Sequence, residues 1–347
     1  MRLTFPAPSA SHPVGGLIAI YQWAGALARR GHEVRIVHHP NWGNSITTIA
    51  DIPFDFDPAI IHDVVRTQDP VSIPDGDFIF GYDPRLTAGA GLPLTLVQGY
   101  GIFGQALEVR AYRYPCPKIC VAGWLVEVGR ELGVPDDQLV HVPYGLDHET
   151  YRVVRPPEER PRRVSMVYAR NEAKGAALGI DALVEVQRRV ADLEVVLFGT
   201  LEPTHDIPAT FRYRVRPARD EIVEIYNTSS VFVCPSAREG FGFPSVEAMA
   251  CGAALVTTDN GGSRDFAFHG RTALVVAPDD PGAMADAVAR LLLDGELRTS
   301  LAAVGRRYVQ RFDWDASAAR IEDFLHEYAA DPGRFTTART RGTEAAR

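Results

Sequence analysis

Short apolar runs alternate with longer amphipathic stretches along most of the chain. The runs at 78–81 (FIFG) and 231–234 (VFVC) consist almost wholly of apolar residues, which is typical of strands buried on both faces of a parallel sheet. The stretches between such runs repeat their apolar residues at the spacing of an amphipathic helix. This alternation predicts an α/β protein built on largely parallel sheets.

The elements predicted from this pattern form two successive groups. The first group has strands at 3–5, 34–37, 78–81, 94–97, 118–122 and 139–142, and a helix at 17–30. The second group has strands at 164–168, 194–198, 231–234 and 254–257, and helices at 177–190, 220–228, 245–250 and 281–294. Residues 301–328 are expected to form one or two closing helices.

The length of 347 residues suits two domains, since one domain takes roughly 150 residues. We expect an N-terminal domain at 1–145, a C-terminal domain at 146–305, closing helices at 306–330 and a disordered tail at 331–347. The polar segment 155–163 (RPPEERPRR) is expected to be a linker or an exposed excursion, because such a run cannot pack in a core.

Composition places the chain among ordinary globular proteins, with 46% hydrophobic and 23% charged residues. The net charge of −8 disfavours a nucleic-acid-binding protein, which would carry an excess of basic residues. The cysteines at 116, 120, 234 and 251 are expected to be reduced core thiols. No signal peptide and no run of ~20 apolar residues is recognisable, so the sequence predicts a cytoplasmic protein, with peripheral contact to the inner face of a membrane left open.

The segment 238–252 (REGFGFPSVEAMACG) carries the most specific chemistry. It follows the predicted strand 231–234, and α/β proteins bind ligands at that carboxyl edge of the sheet. Its glycines permit close approach of the backbone to a ligand, and Pro244 with Ser245 suits the first turn of a helix, whose N-terminus favours phosphate. Glu239 precedes the helix and Glu247 lies one turn into it, so both carboxylates can face one ligand. For that spacing alone, the alternative is a solvated surface pair.

In this setting the two glutamates resemble the E-x7-E signature of retaining GT-B glycosyltransferases, most closely those of family 4 (glycosyl transferases group 1). Those enzymes read E-G-F-G-[LF]-P-x-x-E-A-M-A-x-G at this point. The resemblance implies two Rossmann-like domains that face each other across a cleft, with a C-terminal helix that can return to the first domain. It also implies that a nucleotide-sugar donor is bound by Glu239, Gly240, Phe241, Gly242, Phe243, Pro244, Ser245, Val246 and Glu247.

A basic pair follows the first predicted strand of the second domain. Arg170 and Lys174 resemble the Arg and Lys that hold the donor diphosphate in this family, although an Arg-x3-Lys pair without that context is usually a solvated surface pair. The resemblance implies that Glu239, Arg170 and Lys174 are the catalytic residues. Two cations would neutralise the departing diphosphate, Glu239 would orient the sugar, and Glu247 would bind the ribose.

Four positions of the first domain are assigned to the same site. Gly15 and Gly16 match the glycine loop that approaches the donor phosphates, although two glycines before a helix are commonly only a turn. Many family members have a histidine near the transferring sugar where this chain has Gln98, and Gln98 with Tyr100 is expected on the acceptor side. Glutamine can hydrogen-bond a hydroxyl but cannot shuttle a proton; the alternative for Gln98 is a loop residue bonded to the backbone. Tyr144 stands where the family usually has Asn.

Two D-x-D strings, at 55–57 and 75–77, spell the motif of metal-dependent GT-A transferases. Both lie among prolines and are interpreted as turns. His38 and His39 have no acidic partner at metal-ligand spacing, so exposed or capping histidines are expected. The sequence therefore predicts no metal and no cofactor, and the nucleotide-sugar is a substrate.

These observations predict an enzyme that moves a sugar from a UDP- or GDP-linked donor to an acceptor hydroxyl, with retention of configuration implied by the resemblance. The acceptor would be a glycan, a lipid-linked molecule or a small molecule, and no nucleic acid is expected. One alternative is a nucleotide-sugar epimerase or another GT-B enzyme, such as a phosphorylase, although no acid/base pair for epimerisation is recognisable. The other is a non-catalytic protein that binds a sugar nucleotide.

Overall fold

The computed structural model describes residues 1–8, 15–39, 46, 48–52, 54–64, 74–81, 91–101, 104–202 and 207–336. The chain forms two compact units. The first unit joins Met1–Gly145 to the C-terminal residues from Asp313 onward, and the second comprises Leu146–Phe312. In the described residues, each unit is built on one parallel sheet with helices, which confirms the predicted α/β class.

The strands of the first unit are β1 (Arg2–Pro8), β2 (Glu33–His39), β3 (Ile61–Val64), β4 (Phe78–Gly81), β5 (Leu92–Val97), β6 (Lys118–Cys120) and β7 (Leu139–His141). They pair in the order β3-β2-β1-β4-β5-β6-β7, always in parallel. The second unit contains β8 (Arg163–Val167), β9 (Glu194–Gly199), β10 (Arg212–Val215), β11 (Val231–Cys234), β12 (Ala254–Thr258) and β13 (Ala273–Val276). These strands pair, again in parallel, in the order β10-β9-β8-β11-β12-β13.

The strand order reverses once in each sheet, and this positions the candidate site. In the second unit the chain runs outward from β8 through β9 to β10, and then returns to β11 on the other side of β8. Crossover connections leave β8 and β11 in opposite directions, so a crevice opens outside the carboxyl ends of these two neighbouring strands. The first unit has the equivalent reversal between β1 and β4. Each unit is therefore Rossmann-like, as predicted.

The helices are α1 (Gly15–Arg29), α2 (Gln105–Arg113), α3 (Gly123–Glu131), α4 (Ala176–Arg189), α5 (Arg219–Thr228), α6 (Phe243–Ala250), α7 (Pro281–Leu293), α8 (Gly295–Val309), α9 (Trp314–Ala330) and α10 (Pro332–Thr336). Three of them begin at an aspartate whose side chain accepts a hydrogen bond from a backbone N–H of the first turn: Asp280 for α7, Asp294 for α8 and Asp313 for α9. Within the described part of the chain, no helix combines the length and the apolar character that a bilayer span requires.

The predicted strands and the long helices are confirmed, whereas the outer strands β3, β10 and β13 and the helices α2 and α3 were not predicted. Burial along β10 alternates between exposed and half-buried, and its exposed positions are Arg212 and Arg214. Outer strands are paired on one side only and tolerate polar residues, so β3 and β10 lack the apolar run of the central strands. β13 (ALVV) does have such a run, which the sequence analysis overlooked. With nine residues each, α2 and α3 present only a short apolar stripe.

The prediction of an exposed linker at 155–163 is wrong for Arg160, which is 5% exposed. A guanidinium carries five N–H donors, so it can be buried where backbone carbonyls surround it. Burial lowers the pKa of Arg160 to about 10, which leaves it charged at neutral pH. Its N–H groups donate to the carbonyls of Arg155, Tyr226, Ser229 and Cys251. Arg160 thereby fastens this segment to the second unit.

The C-terminal helix α9 packs along α1 in the first unit, as the predicted return to the first domain requires. Trp23 Nε1 donates to Ser317 Oγ over 2.7 Å, and Ser317 Oγ donates to the carbonyl of Pro143 over 2.7 Å. Of the closing helices, α8 lies in the second unit and α9 in the first. Within the expected tail, α10 buries Phe335, and residues 337–347 lie outside the described residues.

Candidate active site

Three loops meet at the carboxyl edge of the second sheet, after β8, β11 and β12. The N–H of Ala237 donates to the carbonyl of Ala173 over 2.8 Å, which joins the loop after β11 to the loop after β8. The N–H of Glu239 donates to Asn260 over 2.9 Å, and the N–H of Gly262 donates back to Glu239 over 3.2 Å. The segment that carries Glu239 is thus held between its two neighbours at the point where the strand order reverses.

Lys174 and Glu239 form the central contact of this edge. Lys174 Nζ lies 2.8 Å from both carboxylate oxygens of Glu239. Ser236 Oγ donates a third hydrogen bond to Glu239 Oε1 over 2.8 Å. The Glu239 side chain is 11% exposed and that of Lys174 is 41% exposed. The two residues are 65 positions apart in the sequence, and the fold brings the predicted cation and the predicted carboxylate into direct contact.

Gly175 makes this contact possible. Its φ of +62° lies in the left-handed region, and it is at once the C-cap of the 3-10 turn Glu172–Lys174 and the N-cap of α4. A Cβ on Gly175 would lie 2.2 Å from the carbonyl oxygen of Pro235. Only glycine therefore allows the loop after β8 to approach the loop after β11 closely enough for Lys174 to reach Glu239.

The glycine-rich loop ends at the N-terminus of α6, as predicted. Gly242 is the N-cap residue with a φ of +100°, and Pro244 lies in the first turn. The N–H groups of Ser245 and Val246 donate to the carbonyl of Gly242 over 3.1 and 3.3 Å. Two of the amides assigned to the donor phosphate are therefore engaged within the helix start, and Pro244 has no N–H to offer.

Glu247 lies in a separate polar cluster of the same unit. Tyr226 OH donates to Glu247 Oε2 over 3.0 Å, and Tyr151 is a second hydrogen-bonding neighbour. Burial raises the pKa of Glu247, while these two hydroxyls and the charge of Arg219 act in the opposite direction. In the part of the chain that the structure describes, no hydrogen bond or ion pair joins Glu247 to Lys174. The two carboxylates of the motif therefore have different surroundings.

Arg170 follows β8 by three residues, and its side chain is exposed. Among the described residues, no hydrogen bond or ion pair engages its guanidinium. Arg170 thus offers an uncommitted cation at the same edge as Lys174, whose ammonium is already paired.

Gly16 and Gln98, two of the first-domain residues assigned to the site, lie together with Tyr144 at the start of α1. Gln98 Nε2 donates to the carbonyl of Gly16 over 2.9 Å and to Tyr144 OH over 2.6 Å. Gln98 is therefore bonded to the backbone, as the alternative interpretation held, and its other partner is the tyrosine that replaces the family's asparagine. A Cβ on Gly16 would lie 2.9 Å from Gln98 Oε1. Gly15 begins α1, and Tyr100 packs edge-on against Tyr112 at 5.9 Å.

The last aspartate of each D-x-D string, Asp57 and Asp77, is engaged by protein partners. Asp57 accepts from the N–H of Ala59 over 3.0 Å, a turn-type contact, and also pairs with Arg29 at 3.3 Å. Asp77 accepts from the backbone N–H of Arg2 over 2.8 Å, and this bond is the main reason that the pKa of Asp77 is lowered. Among the described residues, no group of three or more His, Cys, Asp or Glu side chains is arranged to hold a metal ion.

His38 corrects one prediction and the cysteines confirm another. The prediction that His38 is exposed or caps an element is wrong, because it is 1% exposed and its Nε2 lies 2.7 Å from Tyr21 OH. A hydrogen bond with the tyrosine hydroxyl on α1 allows the imidazole of His38 to be buried within β2. The side chain of His39 lies outside the described part of the chain.

All four cysteines are buried free thiols, as predicted.

Sequence reasoning missed Ser236, Tyr226, Tyr151 and the role of Tyr144. Ser236 follows β11 by two residues, and a polar residue just after a buried strand is a signal that could have been used. Tyr226 lies on α5, 21 positions before Glu247, and no local pattern connects the two residues.

Comparison with known proteins agrees with the resemblance seen in the motif. Residues 162–294 match the family model described as Glycosyl transferases group 1. A D-inositol 3-phosphate glycosyltransferase of Corynebacterium jeikeium is 33% identical over 108 residues, which are 31% of this chain and 26% of the relative. A GDP-mannose-dependent alpha-(1-6)-phosphatidylinositol monomannoside mannosyltransferase of Mycobacterium tuberculosis is 32% identical over 171 residues, 44% of each chain. The matches span less than half the length of these relatives.

Solved structures show the same fold over nearly the whole chain. The sucrose-phosphate synthase of Thermosynechococcus elongatus has a TM-score of 0.76 at 18% identity, and the match covers 95% of this chain and 99% of the other. Anabaena Alr3699/HepE in complex with UDP-glucose also has a TM-score of 0.76, at 16% identity over 94% and 100% of the two chains. The chain therefore has the GT-B fold that the sequence predicted.

Proposed function

With residues 162–294 resembling the glycosyl transferases group 1 and the whole chain having the GT-B fold, we propose that this protein is a glycosyltransferase that moves a sugar from a nucleotide-sugar to an acceptor hydroxyl. The observation that carries the proposal is the pairing of Lys174 with Glu239, at 2.8 Å, where the order of the second sheet reverses. This edge offers both a cation for phosphate and a carboxylate for sugar hydroxyls.

Stabilisation of the leaving group is the main chemical task of such an enzyme. A nucleoside diphosphate departs as a weak base, so charge neutralisation is needed more than proton donation. Arg170, exposed and without an ion pair among the described residues, and Lys174 would meet the negative charge on the diphosphate. The turn from Gly240 to Gly242 would bring backbone close to the phosphates, because its glycine at 242 takes a left-handed conformation.

The two carboxylates of the motif divide between the two ends of the donor. Glu239 would accept hydrogen bonds from the sugar hydroxyls and so orient the ring at the reacting carbon. Glu247, which is held by Tyr226 one turn into α6, would accept from the ribose hydroxyls. Retention of the anomeric configuration and independence of metal ions belong to the proposal, since protein cations take the place that a divalent ion holds in metal-dependent transferases.

The acceptor would be met by the first unit. Gln98 is held by two hydrogen bonds that use both hydrogens of its amide nitrogen, since the carbonyl of Gly16 can only accept. No described residue donates a hydrogen bond to its Oε1, which can accept one from a hydroxyl group, and Tyr100 lies two residues further along the same loop. A glycan, a lipid-linked molecule or a small polyol would supply that hydroxyl.

The proposal is tested by incubating the protein with GDP-mannose and with UDP-glucose and following release of the free nucleotide. Slow hydrolysis without an acceptor is expected for one donor, because water takes the place of the acceptor hydroxyl. Lys174→Ala should lower the rate at least about 100-fold, which corresponds to about 2.7 kcal/mol of transition-state stabilisation. The matched control is Arg188→Ala, which removes an exposed cation of α4 whose ion-pair partner among the described residues is Glu185, three positions away.

Three results would contradict the proposal. Wild-type kinetics in Lys174→Ala would remove the leaving-group assignment. Interconversion of the sugar without release of nucleotide would indicate an epimerase. Binding of a nucleotide-sugar with no turnover by the wild-type protein, tested with an inositol phosphate and a polyol as acceptors, would indicate a non-catalytic binding protein.

A further inference from the structure

The cation and the carboxylate of the proposed site are partners of each other when no ligand is bound. An ammonium group has three N–H donors, and two of those on Lys174 point to the two oxygens of Glu239 at 2.8 Å. Glu239 Oε1 accepts a further hydrogen bond from Ser236, a residue that is 3% exposed. Because the Glu239 side chain is mostly buried, its charge depends on these donors rather than on water.

The Lys174–Glu239 pair makes the binding of a bare nucleoside diphosphate less favourable. Its phosphates can approach Lys174 either beside Glu239, where negative charges face each other, or by drawing the ammonium away. Drawing the ammonium away leaves Glu239 buried with Ser236 as its remaining described side-chain donor, and an uncompensated buried charge is costly. In both cases Glu239 opposes the binding of a nucleotide that places no hydrogen-bond donor on the Glu239 carboxylate.

A nucleotide that carries a sugar removes the obstacle. Sugar hydroxyls are hydrogen-bond donors and can take over the carboxylate oxygens that Lys174 leaves, while the diphosphate takes over the ammonium. We infer that the Lys174–Glu239 pair makes the site distinguish a sugar-bearing nucleotide from the bare nucleoside diphosphate. This inference rests on the proposed function and adds that the spent donor is disfavoured, which promotes release of the product.

The test is a comparison of Glu239→Gln with the wild-type protein for two ligand pairs, GDP with GDP-mannose and UDP with UDP-glucose, by calorimetric titration. Removing the negative charge frees Lys174, so the bare diphosphate should bind about two- to fivefold more tightly, as expected for a partly exposed ion pair. The nucleotide-sugar should bind about tenfold more weakly, because a charged acceptor for its hydroxyls is lost. The inference therefore predicts that Glu239→Gln changes the affinities of the two ligands in opposite directions.

Glu172→Gln is the matched control. Glu172 is exposed, lies in the same 3-10 turn as Lys174 and carries the same charge, so it makes the same change to the net charge close by. Its replacement should alter both ligands of a pair in the same direction and by less than twofold. An equal tightening of the bare diphosphate in Glu172→Gln would show that general electrostatics, and not the pair, is responsible, and would overturn the inference.

A second measurement tests the Lys174–Glu239 ion pair in the absence of ligand, through the reactivity of the Lys174 amine. The sequence has only two lysines, and Lys118 is fully buried, so Lys174 and the N-terminal amine are the amines open to trace acetylation. Relative to the N-terminal amine, Lys174 should be acetylated several-fold faster in Glu239→Gln than in the wild-type protein or in Glu172→Gln. Equal rates in all three proteins would overturn the inference.

The outcomes separate the inference from the proposed function. If the wild-type protein binds neither member of either ligand pair and hydrolyses neither donor, the proposed function fails and the inference fails with it. If the wild-type protein turns over a donor but Glu239→Gln weakens both ligands alike, the proposed function stands and the inference is wrong.

Discussion

Replacing Glu247 by glutamine should make the second unit more stable and its nucleotide site weaker. The carboxyl group is half-buried, its Oε2 accepts from Tyr226 over 3.0 Å, and burial raises its pKa above the ordinary value of 4.5. A carboxyl whose pKa is raised by folding contributes stability below its unfolded pKa and loses that contribution as the pH rises through the folded pKa. The ionised Glu247 therefore destabilises the folded unit at neutral and alkaline pH.

Glutamine has the same shape and can still accept from Tyr226, but it carries no charge to desolvate. We expect Glu247→Gln to melt at a higher temperature than the wild-type protein at pH 8. As the pH falls below the unfolded pKa, the carboxyl becomes protonated in both the folded and the unfolded state, and we expect the difference in melting temperature to disappear. Exposed Glu224, on α5, provides the control: Glu224→Gln should shift the melting temperature little at either pH.

Binding should change in the opposite direction. A hydrogen bond to a charged group contributes about 1.5–3 kcal/mol and one to a neutral group about 0.5–1.5 kcal/mol. If Glu247 accepts from the ribose hydroxyls, Glu247→Gln should weaken GDP or UDP by about 1–1.5 kcal/mol, or roughly five- to tenfold. Thermal unfolding at the two pH values and calorimetric titration with both nucleotides measure the two effects.

Two results would refute this reasoning separately. A lower melting temperature for Glu247→Gln at pH 8 would show that the ionised carboxylate stabilises the fold, so that its hydrogen bonds outweigh its burial. An unchanged affinity for both nucleotides, with wild-type affinity in the micromolar range or tighter, would show that Glu247 does not hold the ribose.

Two further predictions concern metal and the buried arginine. Sugar transfer should continue in an excess of EDTA, because Arg170 and Lys174 neutralise the charge of the phosphates. Loss of transfer in EDTA that is restored by adding manganese or magnesium would contradict this prediction. Arg160→Met should destabilise the second unit by about 3–5 kcal/mol, since four backbone carbonyls lose a charged donor, whereas exposed Arg162→Met should cost less than about 0.5 kcal/mol. Every tryptophan lies outside residues 146–312, so tryptophan fluorescence does not report directly on the second unit. Urea unfolding of the variants is therefore followed by circular dichroism. Equal midpoints for Arg160→Met and Arg162→Met would contradict the prediction.

The sequence by itself determined the fold class and the main chemical motif. Central strands such as β4 and β11 are buried on both faces, so their residues must be apolar in an unbroken run, and that requirement is visible in one dimension. The glycine-rich turn before α6 was equally legible, because Gly242 must adopt a positive φ and Pro244 suits a first turn. These features are local, and the chain cannot satisfy them with other residues.

The tertiary structure decided which residues meet. The contact of Lys174 with Glu239 depends on β8 and β11 becoming neighbours and on Gly175 letting two loops approach, and neither condition is a periodic pattern. The burial of Arg160 depends on carbonyls of two distant segments of the second unit, at 226–229 and at 251, as well as on the nearby carbonyl of Arg155. A polar segment that the sequence suggests is exposed therefore has a residue in the core. The outer strand β10 was not predicted for the same reason. It forms because it pairs with β9, and its own sequence shows no clear strand pattern. The spacing of apolar residues along the chain indicates which face of a helix or strand is buried. Which strand lies beside which is decided only when the sheet forms.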